Sequence, residues 1–333
     1  MPLRLVFDRV SRIKGKVDMK QATATGTGKY ERLLERCLSL APVPAAVAYP
    51  CEASALTGAF EAAEKNLIAP ILVGPATQIA ATAKSAGIDL GALQIVDAPD
   101  GPASAKKAVE LIREGKAEVL MKGSLHTDEL MSAIVSRDGG LRTGRRISHA
   151  FVMDVPTYHK VLIVTDAAIN IAPVLEDKVD ICQNAIDLAI SLGLAKPKVA
   201  ILCAVETVNS KMPATLDAAA LCKMAERGQI KGGFLDGPLA FDNAISKEAA
   251  KTKGIKSEVA GDPDILLAPD LEAGNILAKQ LSFLANADSA GMVLGARVPV
   301  ILTSRADSVR SRIASCAVAK LIAHARRQAA TPR

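Results

Sequence analysis

The sequence predicts an α/β protein of two domains. One unit recurs along the chain: a short apolar run, a Gly/Pro/Asp turn, then an amphipathic helix. The runs are apolar throughout instead of alternating, which is the pattern of mainly parallel strands covered on both faces. With 333 residues, half of them apolar, the chain exceeds the size at which a single core is usual, so two α/β/α domains are expected.

The runs, in order, are Val43–Tyr49, Ile71–Val73, Leu93–Val96, Val119–Met121, Phe151–Val155, Val161–Thr165, Val199–Ala204, Phe234–Leu235, Ile265–Ala268, Met292–Leu294 and Val298–Thr303. Helices fall between them. Ala103–Glu114 gathers Ala108, Leu111 and Ile112 on one stripe, and Lys178–Leu192 does the same with Ile181, Ala185, Leu188 and Ala189. The last helix, about Ser308–Arg327, opens after Asp307, a good N-cap residue. Eleven strands are many for one sheet, and usual sheet sizes divide them between two.

The alternation breaks twice. Only PTYHK separates Phe151–Val155 from Val161–Thr165, too short for a crossover helix, so these strands are expected to be antiparallel neighbours. Met292–Leu294 and Val298–Thr303 form a second pair without a helix, where the chain crosses back. The expected organisation is a flexible basic leader over 1–29, a discontinuous first domain over 30–148 plus 297–333, and a second domain over 149–296.

Composition excludes several classes. Aromatic residues make up 3% of the chain and Trp is absent, which leaves no stacking platform for single-stranded nucleic acid. The formal net charge of +6 sits at the ends: +4 over residues 1–20 and +7 over 297–333, leaving −5 between. No broad basic stripe for a duplex results, and a small anion near 297–333 fits better. The longest uncharged run, Asn66–Ala83, contains Asn, Gln, Gly and two Pro and reads as strand, turn and helix, so no membrane span is expected. Six scattered cysteines without a C-x-x-C pair suggest reduced, buried thiols and a cytoplasmic protein. The N-terminus has no secretory pattern and reads as a basic leader.

Ligands of open parallel sheets bind beyond the carboxyl ends of strands. The most informative end here is TSRADS, residues 303–308. A buried strand delivers Ser304 and Arg305 to a turn that opens the last helix at Asp307-Ser308, where free N–H groups and the helix dipole favour an anion. Arg305 adds a planar fork of donors suited to phosphate; an ordinary capped helix with an exposed Arg has the same pattern. Lys122, Gly123 and Ser124 repeat the form of strand, small residue and helix. Asp166 and Asn170 face the same way if TDAAIN is helical, and capping explains Asp166 equally well. Asp236, Gly237 and Pro238 make a turn before Asp242, and Asp270, Glu272 and Asn275 mark another helix entrance. Such carboxylates suit either a divalent cation or caps. The four histidines are too dispersed for a triad or a zinc site, and only His126 adjoins a candidate end. GTGKY at 26–30 fails as a P-loop because position 23 is not Gly and Tyr30 takes the Ser/Thr place, and no G-x-G-x-x-G follows a strand.

TDAAINIAP, KPKVAILCAVETVNSKMPAT, GQIKGGFLDGPLAFDNAIS, PDLEAGN and VPVILTSRADS together resemble the phosphate acetyltransferase and phosphate butyryltransferase family, over about Ala41 to Ala325. LRTGRRISH at 141–149 and the TSRADS ending are more similar to the butyryltransferase-like branch. The resemblance implies an architecture similar to isocitrate and isopropylmalate dehydrogenases, with the active-site cleft between the domains, and a homodimer. It implies reversible transfer of a short acyl group between CoA and inorganic phosphate, acetyl first and butyryl second. No cofactor or metal is implied; the CoA thioester is a substrate.

By the same resemblance Ser304 bonds the thioester carbonyl or the CoA sulfur, and Arg305 holds phosphate and the developing oxyanion. Lys122, Gly123, Ser124, Asp166, Asn170, Asp236, Gly237, Pro238, Asn275 and Ser308 are the expected substrate-binding positions. The acetyltransferase pattern continues Ser-Arg-Gly and has an Asp seven positions after the Ser; here Ala306 and Ser311 stand there, and Asp307 is the nearest carboxylate for the role of base. Two other classes are kept beside this: a metal-dependent NAD oxidoreductase using Asp236, Asp242 and Asp270, and a non-catalytic CoA-binding module, motivated by Ser311.

Overall fold

In the computed structural model, residues 28–303 and 307–330 are described. The strands are β1 (Val43–Ala48), β2 (Ile68–Val73), β3 (Gln94–Val96), β4 (Val119–Lys122), β5 (Ser148–Asp154), β6 (Leu162–Thr165), β7 (Lys198–Leu202), β8 (Phe234–Leu239), β9 (Ile265–Leu267), β10 (Asp288–Leu294) and β11 (Val300–Ile301). The helices are α1 (Lys29–Glu35), α2 (Ala53–Glu64), α3 (Ala76–Ala86), α4 (Gly101–Arg113), α5 (Thr127–Val135), α6 (Leu175–Ser191), α7 (Pro213–Glu226), α8 (Phe241–Ile245), α9 (Lys247–Thr252), α10 (Leu271–Leu284) and α11 (Val309–Ala330). Each apolar run of the sequence thus contributes a strand.

The strands form a single hydrogen-bonded sheet in the order β3-β2-β1-β4-β11-β10-β5-β6-β9-β7-β8, not the two sheets expected from strand number. The reason is β10, which pairs antiparallel with β5 along its whole length, from Asp288↔Asp154 to Leu294↔Ser148. Both expected helix-free pairs are antiparallel, β5 with β6 and β10 with β11. The crossing back occurs as β11 joins β4 in parallel. The flanking blocks, β1 to β4 with β11 on one side and β6 to β9 on the other, are parallel within themselves. Three successive antiparallel contacts lie between them, so the two blocks run in opposite directions.

The two faces of the sheet are packed differently. On one face a continuous core runs from Val43, Ala45 and Val47 through Ala150, Val152 and Met292 to Val199 and Ile201, sealed by α11, whose residues Ser311–Ala323 are all buried. Ala46, Ala48, Leu120 and Val293 form one core on the other face, Met153, Val164, Ala200 and Leu266 another. An unbroken core therefore backs a face that is divided over β11, β10 and β5.

Residues 1–27 of the expected basic leader lie outside the described residues, and Lys29, assigned to its end, instead opens α1 and is buried. Its Nζ meets Asp154 Oδ1 at 2.9 Å and donates to Val155 O at 2.7 Å. It pins α1 to the end of β5, a structural role in keeping with the failed P-loop reading. All six cysteines are free thiols. Among the described residues no helix is long and apolar enough to cross a membrane.

Candidate active site

The register draws one line across the central strands: Thr165, Ala150, Met292, Ile301 and Met121 are successive partners. The next residue after Met121 is Lys122, at the end of β4, and the next after Thr165 is Asp166, beyond the end of β6. Because the two blocks run oppositely, their carboxyl ends meet from both sides at the divided face of the sheet.

Lys122 is buried and leads into a tight junction with the end of β1. Gly123 N donates to Ala48 O and Ser124 N to Tyr49 O, both at 2.8 Å. The Ser124 hydroxyl donates to Tyr49 O at 2.9 Å and accepts from Cys51 N at 3.0 Å. A Cβ on Gly123 would stand 2.4 Å from the Ala48 and Tyr49 carbonyl oxygens, so only glycine permits the approach. Gly123 and Ser124 thus fasten the wall from which Lys122 projects.

Ser304, Arg305 and Ala306 lie outside the described residues. Thr303 before them is buried, and its hydroxyl accepts from Arg312 Nη1 at 3.3 Å. After them comes Asp307, and then Ser308, not Asp307, caps α11: its Oγ accepts from Ser311 N at 3.1 Å and donates to Ser311 Oγ at 3.2 Å. Ser311, where the acetyltransferase pattern has its acid, is thereby absorbed into the cap.

Asp166 is almost fully buried, and its carboxylate is occupied by its own turn. Oδ1 accepts from Ala168 N and Ile169 N at 2.9 and 3.0 Å, and Oδ2 from Asn170 Nδ2 at 2.5 Å. The Asn170 amide also donates to Ile147 O at 2.9 Å and accepts from Arg146 Nε at 2.8 Å. Both residues shape the turn. On the facing helix, Asp270 caps α10 by accepting from Ala273 N at 2.8 Å. A Cβ on Gly274 would lie 2.2 Å from Asp166 O, so glycine lets α10 rest on the turn. Asn275, one residue on, donates to Ala167 O at 2.8 Å.

These pieces enclose a cleft of about 410 Å³, lined by Lys122, Leu125, His126, Thr127, His149, Phe151, Ala168, Asn275, Lys279, Leu302, Thr303 and Asp307. That volume lies within the range of small-molecule sites. Among the described lining residues two lysines accompany one carboxylate, a balance that attracts anions. A more enclosed cavity of about 320 Å³ lies under α1 around Lys29 and Tyr30, away from every candidate strand end.

Of the expected positions, Lys122, Asn275 and Asp307 line the cleft; Gly123, Ser124, Asp166 and Asn170 support its walls, and Ser308 caps the adjoining helix. Asp236, Gly237 and Pro238 lie elsewhere, within edge strand β8, which continues through them to Leu239 where a turn was expected. A Cβ on Gly237 would approach Ile201 Cβ to 2.7 Å, so this segment is shaped by packing on β7. The metal-dependent reading loses its motive. Asp236 is on β8, Asp242 on α8 and Asp270 is a cap, and among the described residues no group of three or more His, Cys, Asp or Glu could hold an ion.

Sequence reasoning missed Lys279, set His149 aside with the other dispersed histidines, and named Thr303 only as the start of the TSRADS end. His149 is 1% exposed, its ring edge-on to Phe151 at 4.5 Å between centroids. Burial pushes its pKa down to about 4, against a smaller upward pull from Asp166, so the imidazole is neutral near pH 7. Burial pushes the thiol of Cys51, beside Ser124, up to about 11, which keeps it protonated and unsuited as a nucleophile.

Fold and cleft together define an α/β enzyme of phosphotransacylase architecture. The structure superposes on the branched-chain phosphotransacylase of Enterococcus faecalis V583 with a TM-score of 0.72 at 29% identity, covering 85% of this chain and 99% of that one. Residues 103–320 match the family model described as phosphate acetyl/butaryl transferase, and the chain belongs to that family. It is 63% identical to a phosphate acetyltransferase of Rhizobium meliloti over 91% of this chain and 95% of that protein. It is also 45% identical to a phosphate butyryltransferase of Clostridium acetobutylicum over 78% and 87% of the respective chains.

Proposed function

We propose that this enzyme transfers a short acyl group reversibly between CoA and inorganic phosphate, with acetyl preferred and butyryl the alternative. One observation carries the reading: Thr303 and Asp307, which bracket Ser304 and Arg305 in sequence, line the same cation-bearing cleft as Lys122 and Lys279. Phosphate attacks the thioester carbonyl carbon, a tetrahedral oxyanion forms, and the C–S bond breaks to release CoA thiolate, which then takes a proton. A phosphate dianion is already a nucleophile, so the protein's contribution is alignment and charge stabilisation. Arg305 holds the phosphate and oxyanion, Ser304 bonds the carbonyl or sulfur, and the N-terminus of α11 adds its dipole. Asp307 receives the thiol proton in the reverse direction; Ser311 is already engaged by Ser308. No cofactor or metal enters this scheme.

The cleft then lies between a first domain of 30–148 plus 297–333 and a second of 149–296, a division supported by the split core on its face of the sheet. The partner is a second copy of the chain, seated on the exposed apolar side of α10, where Ile276, Phe283 and Leu284 are 56%, 76% and 81% exposed. Free thiols support a cytoplasmic location. The test is release of CoA by purified protein given phosphate and acetyl-, propionyl- or butyryl-CoA, with Arg305→Ala as control. No release above that control refutes the assignment, and kcat/KM across C2 to C6 acyl-CoAs fixes the chain length.

A further inference from the structure

The cleft combines two kinds of lining. Among its described lining residues Lys122 and Lys279 supply positive charge, Leu125, Phe151, Ala168 and Leu302 supply apolar surface, and His126 and His149 supply imidazoles, of which His149 is the buried one. The lysines suit phosphate. The apolar surface suits a short acyl chain, whose one polar atom is its carbonyl oxygen.

His149 Nδ1 is closed off from solvent and has no hydrogen-bond partner. A buried N–H without an acceptor is rarer than a bare lone pair, so the proton belongs on Nε2. With Nδ1 sealed, Nε2 is also the nitrogen that a ligand can reach. A Cβ on Gly291 would stand 3.3 Å from Nε2 and 2.5 Å from Leu302 O, so glycine keeps that side of the ring clear. Thr165 Oγ1 donates to His149 O at 2.8 Å and fixes the backbone beneath the ring.

We propose that His149 is a hydrogen-bond donor to the acyl carbonyl oxygen, its Nε2–H supporting the oxyanion within the cleft. This rests on the acyl-transfer reading above. A neutral imidazole that stays neutral does not trap the oxyanion by protonating it, and it serves both directions because thioester and acyl phosphate share the carbonyl. It also leaves the thiol proton to another group, since a ring protonated on Nε2 has no lone pair facing the cleft.

The test is His149→Phe, which keeps the apolar packing and removes the donor, beside His149→Gln, which keeps an N–H. Loss of one preorganised donor is expected to lower kcat about 10²- to 10³-fold in both directions for His149→Phe. KM for acyl-CoA stays within about threefold, because the lost interaction is made in the transition state. The thermal midpoint stays near wild type and His149→Gln recovers part of the rate. In the wild-type protein, ¹⁵N NMR should show the Nε2-protonated neutral tautomer. Unchanged kcat in His149→Phe, or a proton on Nδ1, overturns the proposal; should the Phe variant not fold, His149→Gln kinetics and the wild-type tautomer decide it. Failure of the reading beneath it looks different, because the wild-type enzyme itself then releases no CoA.

Discussion

Replacing Gly123 by Ala tests whether the end of β4 sets the cleft. The new Cβ would sit 2.4 Å from two carbonyl oxygens, where ordinary contact begins at 3.4 Å, so the strands must part by about 1 Å. That stretches the two 2.8 Å main-chain bonds from Gly123 and Ser124 beyond hydrogen-bonding range. The Ser124 hydroxyl bonds to Tyr49 O and Cys51 N loosen with them. At about 1 kcal/mol per bond the loss is about 2–4 kcal/mol. Lys122 moves with its peptide, and a 1 Å misplacement in a catalytic cleft costs about 10²-fold in rate. Urea unfolding, read by circular dichroism beside CoA-release kinetics, measures both. A Gly123→Ala enzyme within about 0.5 kcal/mol of wild type and with full kcat would refute the argument, because the junction would then be soft.

Ser308→Ala should cost about 1 kcal/mol in denaturant unfolding by uncapping α11, and raise KM for phosphate more than KM for acyl-CoA. Asp270→Ala removes the cap of α10 and should cost a similar amount in the same assay. Acid should destabilise the protein through His149: its folded pKa of about 4 lies below the unfolded value of 6.5, so the unfolded chain binds the extra proton. Stability therefore falls as pH drops from 6.5 towards 4, by up to about 3 kcal/mol, and His149→Phe should flatten that part of the melting-temperature profile. On the proposal that a second copy docks on α10, Phe283→Ser should lower the sedimentation coefficient to that of a single chain.

Each strand was legible from a short apolar run within it, although β8 continues through Asp236, Gly237 and Pro238 and β10 opens on Asp288, and two helix-free connections disclosed the antiparallel pairs. The pairing of β10 with β5 was not. It joins residues more than 130 positions apart through edges that look like any other strand edge, so sheet number could not be read locally. Asp236, Gly237 and Pro238 look like a turn by residue type, yet packing against Ile201 holds them in a strand. Asp166 and Asn170 come together in a non-helical turn, not on the helix under which they were expected to face the same way, and the sequence does not show that they spend their polar atoms on each other. His149 closes the LRTGRRISH stretch, but nothing in that string marks it for a role; its interest comes from a sealed nitrogen and apolar surroundings, both products of tertiary packing. Ser304 and Arg305 were singled out by a strand and helix start, and Thr303 and Asp307 flank them at the cleft.

The uninterrupted β10–β5 ladder limits how this enzyme can breathe. Seven paired positions tie the halves together, so admitting a ligand as large as CoA cannot proceed by hinging the halves apart about a bare linker. Widening must come from twist of the central strands, or from α5 and α10 tilting on their own side. Amide exchange should find β10 and β5 among the slowest segments even during turnover, with faster exchange confined to the rims.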